Sequence, residues 1–371
     1  MQQKAILLVT LCNFFLNFAI QSSLILLPIY GAQMGASNFQ IGLIGAYYGG
    51  AFLLASIYSG RQSDRHGRLS FVHTGLFFCV ITYAAQLLAH NLTTLYIIRA
   101  AVGLSQGITM AALVAYAYEA GADMGKFSSY GSLGWIGGAV VEIFLQGFNG
   151  LFITSALCAT GAFGISLFFP KQTIDKTAQK KESPRYLTVI KQGFPIYLSV
   201  FLRHLGATSV WIILPLYFES LGFGRFWVGA LWAINFIAQF IVMRYLERFN
   251  PYKIFAIGQI ISIVVFAGYA ILHTIYPLIV VQIFLGAAWA CLYVGALMIV
   301  LKMGEDRGTA SGMFQATINL CGALGPFIGG TIAQFWGYRG VMWFAAALGL
   351  AGMLVAVPQA RGHVQEISNK E

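Results

Sequence analysis

Apolar runs of about twenty residues follow one another along almost the whole chain, separated by short gaps where charge, glycine or proline collects. A run of about 18 or more apolar residues is what a helix needs to cross the hydrocarbon core of a bilayer. Counting between interruptions predicts helices near 5–30, 41–59, 71–90, 95–118, 128–147 and 150–169. The polar segment KQTIDKTAQKKESPRYL (171–187) follows, and six further runs lie near 193–218, 227–246, 252–273, 277–301, 310–334 and 339–357. The pattern predicts an all-α membrane protein of twelve transmembrane helices in two six-helix bundles. The bundles span 1–169 and 192–358, with a linker over 170–191 and a tail over 359–371. The opening run, MQQKAILLVTLCNFFLNFAI, has one lysine and no small-x-small cleavage site, so it reads as a retained first helix.

Composition agrees. Only 9% of the 371 residues are charged and 58% are hydrophobic, too little charge to cover a soluble surface of this size. The net charge of +10 does not point to nucleic acid, because the basic residues sit in gaps between apolar runs and form no continuous face. With the N-terminus inside, the even-numbered gaps, the linker and both tails hold 18 of the 22 lysines and arginines. The opposite side keeps Arg225 and Arg339, and Arg99 and Arg203 fall within spans. The asymmetry predicts a multi-pass protein of the cytoplasmic membrane with both termini in the cytoplasm. Cys12, Cys79, Cys158, Cys291 and Cys321 lie singly in apolar runs, which argues against disulfides and metal sites. No G-x-x-x-x-G-K-[ST] loop and no H-E-x-x-H or similar constellation occurs, so neither ATP drive, an enzyme nor a cofactor is expected.

The halves echo each other. LLPIYGAQMGASNFQIGLIGAYY (26–48) aligns with ILPLYFESLGFGRFWVGALWAIN (213–235) at an offset of 187, bringing Pro28 onto Pro215, Tyr30 onto Tyr217 and Gly42 onto Gly229. LYIIRAAVG (95–103) aligns with LIVVQIFLG (278–286), and GRQSDRHG (60–67) with MRYLERFN (243–250). Six-span repeats with like loops at corresponding places are how many secondary transporters are built.

On these residues the whole chain resembles the major facilitator superfamily. That family carries, after its second helix, a motif running roughly G-x-L-A-D-R-x-G-R-[RK]. GRQSDRHGRL supplies Gly60, Asp64, Arg65, Gly67 and Arg68, and departs at Gln62, Ser63 and Leu69. Arg99, Gly103 and Gly107 meet a second pattern, R-x-x-x-G-x-x-x-G, in the fourth helix. GALGPFIGG (322–330) looks like the motif that drug/proton antiporters carry in the fifth helix, here displaced to the eleventh. The resemblance implies a conformational latch. Asp64 would sit near the start of the eleventh helix, about Arg307–Ala310, where helix-end charge favours a carboxylate. Gly60 would allow a close helix approach and Gly67 a tight turn. Simple retention of the loop by positive charge is the alternative.

Polar residues inside spans are expensive and need a partner, a watery cavity or a substrate. Asn13, Asn17 and Gln21 recur every four residues, so they share one face of the first helix. The 187 offset places His204 on Asn17 and Thr208 on Gln21, and in the resembled family helices one and seven line the central cavity. Arg203 lies about ten residues into helix seven, roughly 15 Å deep, with no acid at that depth on its helix. An unpaired cation there suggests an anionic substrate group. Asn235 and Gln239, and Gln315 and Asn319, form further polar stripes, and Trp211, Trp232, Trp289, Tyr47, Tyr48 and Tyr293 are candidate aromatic walls. Arg99 and Glu142, at similar depth in consecutive antiparallel helices, are expected to pair, either structurally or as a proton switch. Glu142 and the titratable His204 are the coupling candidates.

The expectation is a monomeric secondary transporter that exposes a midplane site to each side in turn. It would move a small organic or amphiphilic anion by proton-coupled export. A polyspecific drug/proton antiporter, a sugar or metabolite transporter, and a non-transporting membrane sensor or scaffold are the alternatives.

Overall fold

The computed structural model describes residues 2–145, 147–170, 186–302 and 307–368, without the side chains at 64, 186–188, 247, 307–308 and 357–368. Helices account for nearly all of them, and no strand occurs among the described residues. The long helices are α1 Gln2–Ser22, α2 Asn38–His66, α3 Arg68–Ala85, α4 Leu92–Glu119, α5 Met124–Phe144, α6 Phe148–Ser166, α7 Tyr186–Ser220, α8 Arg225–Met243, α9 Pro251–Ile271 and α10 Ile275–Lys302. The last helical stretch, Arg307–Ser368, turns at Gly337 (φ 68°) and so divides into α11 (307–336) and α12 (338–368).

Among the described residues, ten stretches are long and apolar enough to cross a membrane. The last of them contains both α11 and α12, and α5 is not among the ten. Helix α5 carries Gly125, Gly131, Gly134, Gly137 and Gly138, which dilute its hydropathy but let neighbours approach. The long helices therefore number twelve among the described residues, as the apolar pattern predicts.

Local signals set the helix ends. Ser37 and Gln40 form a reciprocal cap on α2, and Asn91 with Thr94 does the same for α4. The Asp123 carboxylate accepts from the amides of Gly125 (2.9 Å) and Lys126 (3.1 Å) at the start of α5. Asp123→Ala is expected to lower stability by about 1 kcal/mol, read as a fall in Tm of the purified protein with transport retained. Helix α1 stops at Ser22, turns through 23–26, and resumes as the short helix Leu27–Gln33, with Pro28 at its start. Its repeat partner α7 runs unbroken past Pro195 and Pro215.

The contacts reproduce the repeat. In the first bundle α1 packs on α5 and α6, α4 packs on α2 and α3, and α3 also meets α6. In the second, α7 packs on the α11–α12 stretch, α10 packs on α8 and α9, and α9 also meets that stretch. Between bundles, α2 meets α11 and α5 meets α8.

These cross-contacts lie at one end. A Cβ on Gly42 would fall 2.5 Å from Pro326 O and 2.9 Å from Gly330 Cα, and one on Gly330 would fall 2.6 Å from both Asn38 O and Gly42 Cα. Asn38 Nδ2 donates to Ala333 O (3.3 Å), and Phe39 packs edge-on against Phe327 (5.7 Å). Helix α11 serves two partners, with Gly325 and Gly329 against Thr208 and Ser209 of α7 and Gly322, Pro326 and Gly330 against α2. At the other end, toward which α6 ends and from which α7 starts, a Cβ on Gly60 would meet no atom within 4 Å. The close approach expected at Gly60 is thus absent in this conformation, because α2 and α11 converge at the opposite end.

Candidate functional site

From the α5–α8 seam a row of rings runs into the second bundle. Trp135 of α5 lies 5.6 Å from Phe236 of α8, which stacks on Trp232 at 5.5 Å. Trp232 meets Trp211 at 6.4 Å, and Trp211 meets Trp289 at 6.1 Å. His204 stacks on Trp289 at 4.6 Å and 22°, and stands edge-on to Trp211 at 5.3 Å. Tyr293 and Phe314 continue the row toward the linker end. Helical periodicity builds it: Trp232 and Phe236, and Trp289 and Tyr293, are four apart, while His204 and Trp211 are seven apart. The Nε1 atoms of Trp211 and Trp232 and Nδ1 of His204 are buried without a hydrogen-bond partner. Buried donors are normally satisfied, so several unmet ones on one aromatic surface mark a place where a ligand or water completes the bonding.

The α1 stripe supports this row from the first bundle. Trp135 Nε1 donates to Asn17 Oδ1 (2.9 Å), Asn17 Nδ2 donates to Asn13 Oδ1 (2.8 Å), and Asn13 Nδ2 donates to Phe127 O (2.8 Å). Asn13 and Asn17 therefore bind α5 and hold Trp135 in place. Gln21 is buried against Gly138. Trp135, Phe236 and Phe314 are the members that sequence reasoning missed. For Trp135 the signal was present, since it directly follows Gly134 on the glycine-rich helix.

Arg203 is fully buried and turned toward α9. Its Nε donates to Ser262 Oγ (2.9 Å), and its guanidinium lies 5.6 Å from the Phe266 ring centre and 5.5 Å from that of Trp289. Nη1 and Nη2 have no partner, and no carboxylate pairs with it among the described residues. It joins the row at Trp289. Its neighbour Thr208 bonds instead to Cys321 O of α11 (2.9 Å).

The expected Arg99–Glu142 pair does not form. Arg99 lies within the first bundle, donating to Gln86 Oε1 (3.3 Å) under the Tyr48 ring (4.5 Å). Tyr48 in turn bonds to Gln106, which bonds to Tyr83. Helix α5 barely touches α4 because Gly131, Gly134 and Gly138 draw it onto α1. Glu142, one turn beyond Gly138, is carried to the break in α1 and is fully buried there.

The remaining candidates separate. Asn235 Nδ2 donates to Gln282 O (3.2 Å), and Gly286 seats against the Asn235–Gln239 backbone, so this stripe packs α8 on α10. Gln315 Nε2 donates to Asn319 Oδ1 (2.9 Å), with Gln315 exposed on the linker-end half of α11. In the turn between α2 and α3, Gly67 takes φ 97°, and Arg68 reaches Ser63 Oγ (2.8 Å) and Glu119 (3.0 Å), binding the turn to α4. Arg61 and Arg65 are exposed. The Asp64 side chain and its expected contact at the start of α11 lie outside the described residues.

Known proteins agree with this architecture. The chain is 24% identical over 368 residues to the multidrug resistance protein MdtG of Dickeya zeae, covering 90% of this chain and 89% of that protein. Over 173 residues it is 28% identical to the quinolone resistance protein NorA of Staphylococcus aureus, covering 45% and 44%. The fold matches solved structures of the nucleoside transporter NupG (TM-score 0.75, 17% identity, 96% of this chain and 98% of that one) and the human organic anion transporter MFSD10 (TM-score 0.73, 15% identity, 96% and 99%). The sequence profile of the Major Facilitator Superfamily matches residues 7–234 and again 196–369, between them covering nearly the whole chain. With two such matches, twelve long helices and a contact pattern that repeats from one bundle to the other, the chain belongs to the Major Facilitator Superfamily of multi-pass membrane transporters.

Proposed function

We propose that the protein is a secondary transporter that exports small aromatic anions from the cytoplasm in exchange for protons. It acts as a monomer, rocking the bundles 1–169 and 192–358 about the ring row. The observation that carries this reading is Arg203, a buried guanidinium with both Nη atoms unmet, beside an aromatic row with further unmet donors. Aromatic faces take up a flat apolar body, and the donors favour a group with hydrogen-bond acceptors and negative charge.

Two observations support export. The relatives include a multidrug resistance protein and a quinolone resistance protein. The bundles also meet at the end away from the linker, so with the charge-based orientation this conformation loads from the cytoplasm. The same relatives favour a second reading, a polyspecific drug/proton antiporter in which the rings bind aromatics of any charge.

Thermal-shift measurements with matched anionic, neutral and cationic aromatic compounds separate the two. Selective binding stabilises the folded state by RT ln(1 + [L]/Kd), about 2.7 kcal/mol at a hundredfold excess over Kd. The anionic compounds are expected to raise Tm most. Equal or larger shifts with the cations would establish the polyspecific reading instead.

A further inference from the structure

We infer that Glu142 is the proton-carrying group of the transport cycle and that the break in α1 and the α5–α8 seam are where its charge state is read. This rests on the proton-exchange reading above and adds which carboxylate serves it. No acid lies on α1, and among the described residues Glu142 is the only acid well inside a helix of the membrane core.

Glu142 is fully buried, and neither oxygen reaches a side-chain donor. The dipole it faces is the Ile25 backbone N–H. Residue 25 lies in the turn where α1 loses its helical ladder: Ser23 N reaches back to Ile20 O (3.4 Å), Leu24 N to Gln21 O (3.1 Å) and Leu27 N to Leu24 O (3.3 Å). On the other side, Ala139 and Ile143 flank Glu142 on α5, and both lie against Gly229 of α8. The turn of α5 that carries the carboxylate is therefore the turn that closes the bundles together.

Among the described residues no other charge is placed to compensate it. Helix α1 bears none near the break, its only ionised residue being Lys4 at the other end. On α8 the nearest charge by register is Arg225, whose guanidinium lies over the Phe148 ring (4.4 Å) and acts on Glu219. Arg99 of α4 is held by Gln86 and Tyr48. Among groups of α7, His204 is committed to Trp289 and Trp211 in the ring row.

Closing the seam over an ionised carboxylate strands a charge in an apolar layer, whereas closing it over the acid does not. When the seam is open, the carboxylate takes a proton from water on that side and an O–H bond forms. The neutral acid then permits closure. In the closed conformation the acid gives its proton up to water on the linker side, the O–H bond breaks, and the restored charge favours opening. One proton enters per cycle. Trp135 lies two turns along α5, about 10 Å away, so ligand at the ring row and the acid at the seam act on one rigid element.

The test uses the full chain in proteoliposomes, with Ala139→Cys reporting the seam through a membrane-impermeant thiol reagent and carboxyfluorescein as the transport probe. Ala139 is fully buried while the seam is closed. In the reporter protein, labelling is expected to rise roughly tenfold from mildly acidic to mildly alkaline pH. With Glu142→Gln added it stays low throughout. Glu142→Gln also retains probe exchange but loses accumulation driven by a pH gradient. A pH response of labelling that survives Glu142→Gln would overturn the assignment. If the protein with Glu142 intact ignores the gradient, proton exchange itself fails, and the labelling result still decides whether Glu142 controls the seam.

Discussion

Gly330→Val is expected to slow transport sharply while leaving both bundles folded. A Cβ at Gly330 would sit 2.6 Å from Asn38 O and from Gly42 Cα, both backbone atoms of the opposite bundle. Backbone cannot rotate aside as a flexible side chain can, so the clash is relieved only by moving α2 away from α11. Because these contacts exist only while the bundles meet at this end, the substitution penalises one conformation of the cycle and spares the other. Overpacking of this kind costs about 1–3 kcal/mol, which converts to a shift of roughly 5- to 150-fold in the balance of the two conformations. Turnover in proteoliposomes is therefore expected to fall by roughly 5- to 150-fold. A cysteine at Phe39 should become more reactive to an impermeant thiol reagent, since its ring now packs against Phe327. Gly42→Val should act alike from the other helix. Gly60→Val, with open space around its Cβ, should leave the reactivity of that cysteine no higher than before. Normal turnover in Gly330→Val would mean that closure at α2–α11 is not part of the cycle.

The number, length and order of the helices were legible in the sequence because apolar length and charged punctuation are local properties. The repeat was legible because equivalent helices must meet equivalent neighbours, as α1 on α5 and α7 on α11 do. What a single sequence reveals poorly is the direction a side chain takes around its helix. Depth follows from counting at 1.5 Å per residue, and depth alone suggested that Arg99 and Glu142 would meet. Their azimuths separate them, because the glycines of α5 select α1 as its partner. Asn13 and Asn17 were legible as a stripe, but not as the hydrogen-bonded support of Trp135. Gly60 illustrates a further limit of sequence: a motif describes contacts made at any point of a cycle, whereas one conformation displays only part of them.

Arg203→Met is the substitution expected to move stability and function in opposite directions. The guanidinium is fully buried, with one hydrogen bond through Nε to Ser262 and no partner at Nη1 or Nη2. An apolar side chain of similar length fits the space between Phe266 and Trp289 and removes an uncompensated charge from the bundle. Replacing buried charge by a well-packed apolar group is often neutral or stabilising by about 1–4 kcal/mol, so Tm should hold or rise. If the guanidinium recruits an anion, the variant loses a charge-assisted bond of about 1.5–3 kcal/mol, roughly 10- to 150-fold in affinity. That loss should be confined to anionic compounds, with neutral aromatics of the same shape retained by the rings. Arg203→Lys keeps the charge but not the planar fork, and should recover part of the anion affinity. A fall in Tm with unchanged charge selectivity would assign Arg203 to packing alone. A rise in Tm with selective loss of anion transport would identify it as a charge retained for its ligand at the expense of the fold.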